Sequence, residues 1–212
     1  MEPKTLTTSA LETLTAQAQK MRFSRGQMIY QRGEKGVSLL VMQTGEAEVS
    51  ITSLAGRKSI LHLAGPGDIL GDIACLDGGP RSADVLALKD VDALIIKRTD
   101  VLKTLSEDSE CALHVIDVLC QKVRNASDMF EVQSLIDARS RLAFCILRLI
   151  GTEDEEGYTG HISVSQQWLG DYAGLSRENV NRNLRALSDA GLLTYSNSRL
   201  DVLDRSGLEE LV

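Results

Sequence analysis

Residues 175–187, Leu-Ser-Arg-Glu-Asn-Val-Asn-Arg-Asn-Leu-Arg-Ala-Leu, constrain the fold of this chain more than any other stretch. Val180, Leu184 and Leu187 recur at i, i+4 and i+7, which predicts a helix with one apolar face. Ser176 stands where a hydroxyl can accept a hydrogen bond from an unpaired backbone N–H of the first turn. Glu178, Asn181, Arg182 and Arg185 fall on the opposite face, and Arg177 lies at its edge. Arg reads guanine with a bidentate fork and Glu accepts from cytosine N4. A short helix with this polar face is predicted to enter a major groove.

The flanking residues fit that reading. Ser165 can cap a preceding helix that carries Trp168, Leu169, Tyr172 and Ala173, and Gly174 supplies the turn between the two. Gly191 can end the second helix. Leu192-Leu-Thr-Tyr195 and Leu200-Asp-Val-Leu203 then bracket Ser196-Asn-Ser198 as a hairpin. The whole is predicted to be a winged helix-turn-helix that binds double-stranded DNA, with Ser176, Arg177, Glu178, Asn181 and Arg182 at the interface. The net charge of −7 argues against a coat for nucleic acid at large. It leaves room for a local basic face built from Arg177, Arg182, Arg185 and Arg199.

Upstream the pattern is different. A short amphipathic helix is predicted over 6–20. From 23 to 97, glycines recur about every ten residues between short runs such as Met28-Ile-Tyr30, Leu39-Leu-Val-Met42, Ala47-Glu-Val-Ser-Ile51, Ser59-Ile-Leu-His-Leu63 and Asp92-Ala-Leu-Ile-Ile96. That spacing predicts an antiparallel roll or jelly roll. A short helix begins near Asp100. A long one is expected from about 109 to 136, where Leu113, Ile116, Cys120, Val123, Ser127 and Phe130 are spaced 3, 4, 3, 4, 3. This is a heptad stripe, and it predicts a two-helix homodimer seam. Ser127 is its polar member. A hinge is expected at 137–140, then a helix with Leu142, Ile146, Leu149 and Ile150 on one face. The acidic loop 151–157 reads as a solvated turn.

The fold class is therefore α+β: an antiparallel β-roll over 1–108, a dimerisation helix over 109–136 and a winged helix-turn-helix over 137–212. No apolar run reaches membrane-spanning length, and Met-Glu-Pro-Lys-Thr does not read as a signal peptide, so the cytoplasm is expected. Cys75, Cys111, Cys120 and Cys145 lack metal-ligand spacing and read as four buried thiols. His62, His114 and His161 are scattered, and no catalytic constellation appears, so no enzyme and no metal site are expected.

One loop carries a second chemistry. Gly67-Asp-Ile-Leu-Gly-Asp-Ile-Ala-Cys-Leu-Asp-Gly-Gly-Pro-Arg-Ser-Ala83 combines a glycine-rich turn with an arginine fork and a hydroxyl. Backbone N–H groups, Arg81 and Ser82 suit an anion, and Asp72 can accept from a sugar hydroxyl. Arg81 is expected at the surface of the unliganded protein.

With a roll before this cassette, a seam helix after it and the winged helix at the end, the chain resembles the cyclic-AMP receptor protein family of bacterial transcription regulators, the Crp–Fnr superfamily. The resemblance covers residues 6–204 and is carried by Gly71-Asp72-Ile73-Ala74, by Arg81-Ser82-Ala83 and by Ser176 to Arg182. It implies a cyclic nucleotide, cyclic AMP or cyclic GMP, as effector and no prosthetic group. Gly71 and Asp72 would face the ribose, and Arg81 and Ser82 the cyclic phosphate. Ser127 would reach the purine held by the partner subunit. It also implies a TGTGA-like half-site facing its TCACA complement, and RNA polymerase as a partner.

Two departures from the family pattern stand out. Asp72 replaces the usual Glu, and Ala126-Ser127 replaces a Thr–Ser pair. Both weigh against cyclic AMP specifically, so another small-molecule effector, or a pocket that binds no nucleotide, remains an alternative. The iron–sulfur branch of the family needs N-terminal cysteines that are missing here. The haem branch needs a His near Cys75, and none follows it closely.

Overall fold

Leu39-Leu-Val-Met42 is apolar at four successive positions because its strand is buried on both faces. Leu39 and Val41 pack with the helices, while Leu40 and Met42 face a second sheet. The structure is a computed structural model that describes residues 8–134, 137–150 and 161–212. Positions 6–7, 135–136 and the acidic loop at 151–157 lie outside the described residues.

The first sheet has the order β1 (Gln19–Phe23), β8 (Val91–Lys97), β3 (Ser38–Met42), β6 (Ile69–Leu70). The second runs β2 (Met28–Tyr30), β7 (Asp84–Ala87), β4 (Ala47–Thr52), β5 (Lys58–Ala64). Neighbouring strands are antiparallel throughout both sheets. Phe23, Tyr30, Leu40, Met42, Leu70 and Val85 fill the space between them. Helices α1 (Thr8–Thr15), α2 (Asp72–Asp77), α3 (Arg98–Glu107) and the start of α4 (Ser109–Ser134) cover the other face of the first sheet. The five predicted strands are all present, and β1, β6 and β7 are additional.

The predicted helix over 6–20 ends instead at Thr15. Gln19 to Phe23 pair with β8, from Gln19 opposite Ile95 to Phe23 opposite Val91. Thr13 and Thr15 are poor helix formers, because β-branching restricts their rotamers in a helix. Ladder hydrogen bonds then take the backbone that follows. Lys20 and Arg22 lie on an edge strand, where charge blunts edge pairing.

Packing divides the chain between Arg124 and Asn125, within α4. In the second unit Asp137 caps α5 (Ala138–Ile150). Its carboxylate accepts from the Ser140 N–H at 3.2 Å, and the Arg139 and Ser140 N–H groups hold it below the usual carboxylate range. α6 (Gln166–Ala173) and α7 (Arg177–Asp189) follow, with a sheet of order β10 (Leu193–Ser196), β11 (Arg199–Val202), β9 (His161–Ser163), and then α8 (Arg205–Glu209). Leu142, Ile146, Leu169, Val180, Leu184, Leu187, Leu193 and Leu200 form one core.

Candidate effector cassette and nucleic-acid interface

Gly71 follows β6 and starts α2 with φ 75°, a left-handed conformation that a side chain strains. A Cβ here would also sit 2.2 Å from Arg81 Nη1 and 2.9 Å from the Tyr30 ring, so the arginine and the glycine are mutually dependent. Arg81 itself is only 5% exposed, against the expectation of a surface group. Its Nη1 donates to the Ser38 carbonyl at 2.8 Å and to the Gly71 carbonyl at 2.9 Å. Nη2 donates to Ser38 Oγ at 3.2 Å, and the guanidinium carbon lies 3.6 Å from the Tyr30 ring centroid. The protein solvates this charge internally, which is why it is not at the surface.

The donor inventory of Arg81 is then specific. A guanidinium carries five N–H groups. Both Nη1 hydrogens are used, one Nη2 hydrogen is used, and Nε has no hydrogen-bond partner. The buried Nε is left without a partner, and together with Nη2 it forms the edge of a guanidinium that can hold a phosphate as a bidentate fork. Ser82 next to it is exposed, and Ala83 is buried. Ile73 is exposed, and Ala74 is buried.

Asp72 is buried, and its Oδ2 accepts from Lys122 Nζ at 2.8 Å; the same ammonium donates to the Ile69 carbonyl at 2.8 Å. Asp72 is thus one half of an ion pair with α4 through Oδ2, a partner that the sequence did not show. Asp68 lies on the same turn. Burial pushes its carboxyl up, but the His62 ring at 3.2 Å, the Gly65 N–H and the Lys122 charge together hold it below the usual range. Cys75 is fully buried, and burial pushes its thiol up to about 11, so it stays protonated at neutral pH. Among the described residues no group of three or more His, Cys, Asp or Glu side chains is placed to hold a metal.

Tyr30, Ser38 and Lys122 escaped the sequence reading. A signal for Lys122 existed. Cys111, Val115, Val118 and Lys122 form a second stripe on α4, spaced 4, 3, 4, whose apolar members are buried and whose last member is a cation. The first stripe is exposed: Leu113 63%, Ile116 52%, Val123 66% and Phe130 76%, with Cys120 and Ser127 exposed between them. One face of α4 thus packs on the roll, and the other is left uncovered within a single chain.

The helix-turn-helix forms as its caps require. Ser165 Oγ accepts from the Trp168 N–H at 3.1 Å and Ser176 Oγ from the Asn179 N–H at 3.2 Å. Gly170 lets α6 approach the turn, because a Cβ there would meet the Leu175 carbonyl at 2.7 Å. Val180, Leu184 and Leu187 are buried, and Arg177, Glu178, Arg182 and Arg185 are exposed. Two details differ from expectation. Asn181 is half-buried and accepts from Gln166 Nε2 at 3.4 Å, so it lies at the flank of the exposed face. Arg199 is neutralised by Asp201, at 2.8 Å, and adds little to the basic face. The wing turns at Asn197 and Ser198, φ 50° and 62°, a two-residue hairpin with both residues left-handed.

Comparison with known proteins matches residues 20–108 to the cyclic nucleotide-binding domain and residues 140–211 to the Crp-like helix-turn-helix domain. The chain is 29% identical over 193 residues to the cyclic AMP receptor protein of Thermus thermophilus, covering 91% of this chain and 88% of that protein. It is 25% identical over 203 residues to the CRP-like cAMP-activated global transcriptional regulator of Mycobacterium tuberculosis, covering 94% and 91%. The structure of FixK2 from Bradyrhizobium japonicum shares the fold, with a TM-score of 0.78 at 24% identity over 92% of this chain and 96% of that one.

Proposed function

We propose, for a chain that belongs to the Crp–Fnr family of transcription regulators, that it is a homodimer that binds palindromic DNA when a cyclic nucleotide occupies its roll. The observation that carries the effector reading is the open edge of Arg81, a buried guanidinium with an unpartnered Nε. A cyclic phosphate satisfies that edge with two charge-assisted hydrogen bonds. Gly71, Asp72, Ile73, Ala74, Ser82 and Ala83 make the rest of the pocket, and Ser127 meets the purine of the partner subunit's nucleotide. The functional divisions remain those of the sequence: 1–108 for the effector, 109–136 for the seam and 137–212 for DNA.

The cycle is a population shift. A ligand moves the equilibrium only by its preference for one state, so the effector must bind the DNA-competent arrangement more tightly. Covering the exposed α4 stripe with a second copy gives the two-fold symmetry that a palindrome requires. RNA polymerase is the expected partner once DNA is bound. No described helix is long and apolar enough to cross a membrane. The relatives are regulators rather than enzymes, and we assign no catalysis to this chain.

A second reading, a different small-molecule effector or an empty pocket, is favoured by the Asp72–Lys122 pair, which occupies the carboxylate a ribose hydroxyl would use. Calorimetry with cyclic AMP and cyclic GMP separates the two. Heat of binding from either nucleotide supports the first reading, and none from both supports the second.

The DNA assignment has its own test. Arg177 and Arg182 are expected to favour guanine, and Glu178 a cytosine on the opposite strand, within a TGTGA-like half-site. Glu178→Ala should relax choice at one base pair per half-site, by about 1–3 kcal/mol, with overall affinity nearly kept. Selection from random DNA by both proteins checks this. Sites without two-fold symmetry, or unchanged choice in the variant, contradict the assignment.

A further inference from the structure

Arg148, near the end of α5, acts on three other side chains within the second unit. Its Nη1 lies 3.4 Å from Asp128 Oδ2 on α4. Its guanidinium carbon is 5.9 Å from the ring centroid of Phe144, one turn back on α5. Its charge also acts on the Tyr172 side chain on α6. Tyr172 is buried and stacks on Trp168, centroids 5.2 Å apart, in the first helix of the helix-turn-helix. Burial pushes the Tyr172 hydroxyl up to about 12, and the Arg148 charge acts against that rise.

Asp128 follows Ser127 directly in the chain. Its side chain is 49% exposed and that of Arg148 is 26% exposed. A pair this accessible adds little to stability. Its value lies in direction: one planar cation on α5 holds an acid on the seam helix, and α5 shares its core with both helices of the helix-turn-helix.

We propose that Arg148 is a positioning residue that carries the state of the seam helix into the helix-turn-helix, by holding Asp128 of α4 to α5, whose core face is shared with α6 and α7. The inference rests on the effector reading above, in which the ligand meets the seam at Ser127. A shift of α4 at Ser127 moves Asp128, and Arg148 passes that shift to α5, which shares its core with α6. α6 then carries α7 with it, through their shared core and the Gln166–Asn181 hydrogen bond.

The test uses the full chain and a palindromic duplex. Coupling between two ligands is reciprocal: if cyclic AMP tightens DNA binding by some factor, DNA tightens cyclic AMP binding by the same factor. Both factors are measured by titration for the wild type, Arg148→Leu and Asp128→Asn. In the wild type each should be about tenfold or more. In both variants they should fall below about threefold, with cyclic AMP affinity in the absence of DNA kept. A purely structural role would lower melting temperature and leave the two factors equal to wild type. If Arg148→Leu fails to fold, Asp128→Asn decides alone, since its carboxylate is half exposed. Full reciprocal coupling in Asp128→Asn overturns the proposal. A wild type with no coupling overturns the effector reading itself, and is distinguished by occurring before any substitution is made.

Discussion

Arg81→Leu is expected to abolish cyclic-nucleotide binding and to lower stability as well. The sequence alone pointed to a surface cation whose loss would spare the fold. The structure reverses the second half of that expectation. Arg81 is a hydrogen-bond donor for the part-buried carbonyls of Ser38 and Gly71, and it covers the Tyr30 ring. Leucine fills part of the space but donates nothing. The Gly71 carbonyl keeps the Cys75 N–H at 3.1 Å, whereas the Ser38 carbonyl loses a donor at a cost of about 1–3 kcal/mol. A loss of about 2 kcal/mol lowers the melting temperature of a chain this size by roughly 4–8 °C. On the ligand side, loss of a charge-assisted bidentate contact removes about 1.5–3 kcal/mol per bond. Binding should then fall by two orders of magnitude or more, beyond detection by calorimetry. A protein that melts as the wild type does and binds nucleotide equally well contradicts the role given to Arg81.

Val123→Glu should be the most disruptive single change at the level of assembly. Val123 is 66% exposed in one chain, so a carboxylate there costs the protomer little. In a parallel two-helix seam the same position meets its own copy. Two carboxylates in an apolar seam repel and lose their hydration, several kcal/mol per ion even after relaxation. The variant should sediment as a folded monomer. It should also lose the second half-site contact, which for linked sites is worth about a hundredfold or more in DNA affinity. A dimer of wild-type stability would show that the stripe is not the interface. Cys120 gives a check without mutagenesis. It lies on the same stripe and is exposed, against the expectation of a buried thiol, because that face of α4 is not packed on the roll, while Cys75, Cys111 and Cys145 are buried. Mild oxidation should link two chains through Cys120 alone.

What the sequence made legible was whatever chemistry is local. Ser165, Ser176 and Gly174 announce a helix-turn-helix because caps and turns act within three or four residues. The apolar faces of α7 and of the uncovered α4 stripe are periodicities, and they are visible without contacts. The run Leu39–Met42 is recognisable as strand, though only the structure explains why it lacks alternation: helices lie on one face and a sheet on the other. The missing pieces are those whose reason is remote. β1 is charged and exposed, and its strand character comes from β8, far along the chain. Arg81 is buried because Ser38, 43 residues away, supplies acceptors. Asp72 is paired because Lys122, 50 residues away, reaches it from a helix read only for its other face. The side chains of the cassette were therefore legible as a group, while the remote partners that Arg81 and Asp72 find in the fold were not.

The central claim is that a cyclic nucleotide controls DNA binding by this dimer. It is tested most directly by titrating the chain against a labelled TGTGA–TCACA palindrome at one fixed salt concentration, since phosphate contacts make affinity salt-dependent. Three states are compared: no nucleotide, cyclic AMP, and cyclic GMP. The account predicts two protomers per duplex and affinity about tenfold or more tighter with one of the nucleotides. Equal affinity in all three states contradicts it.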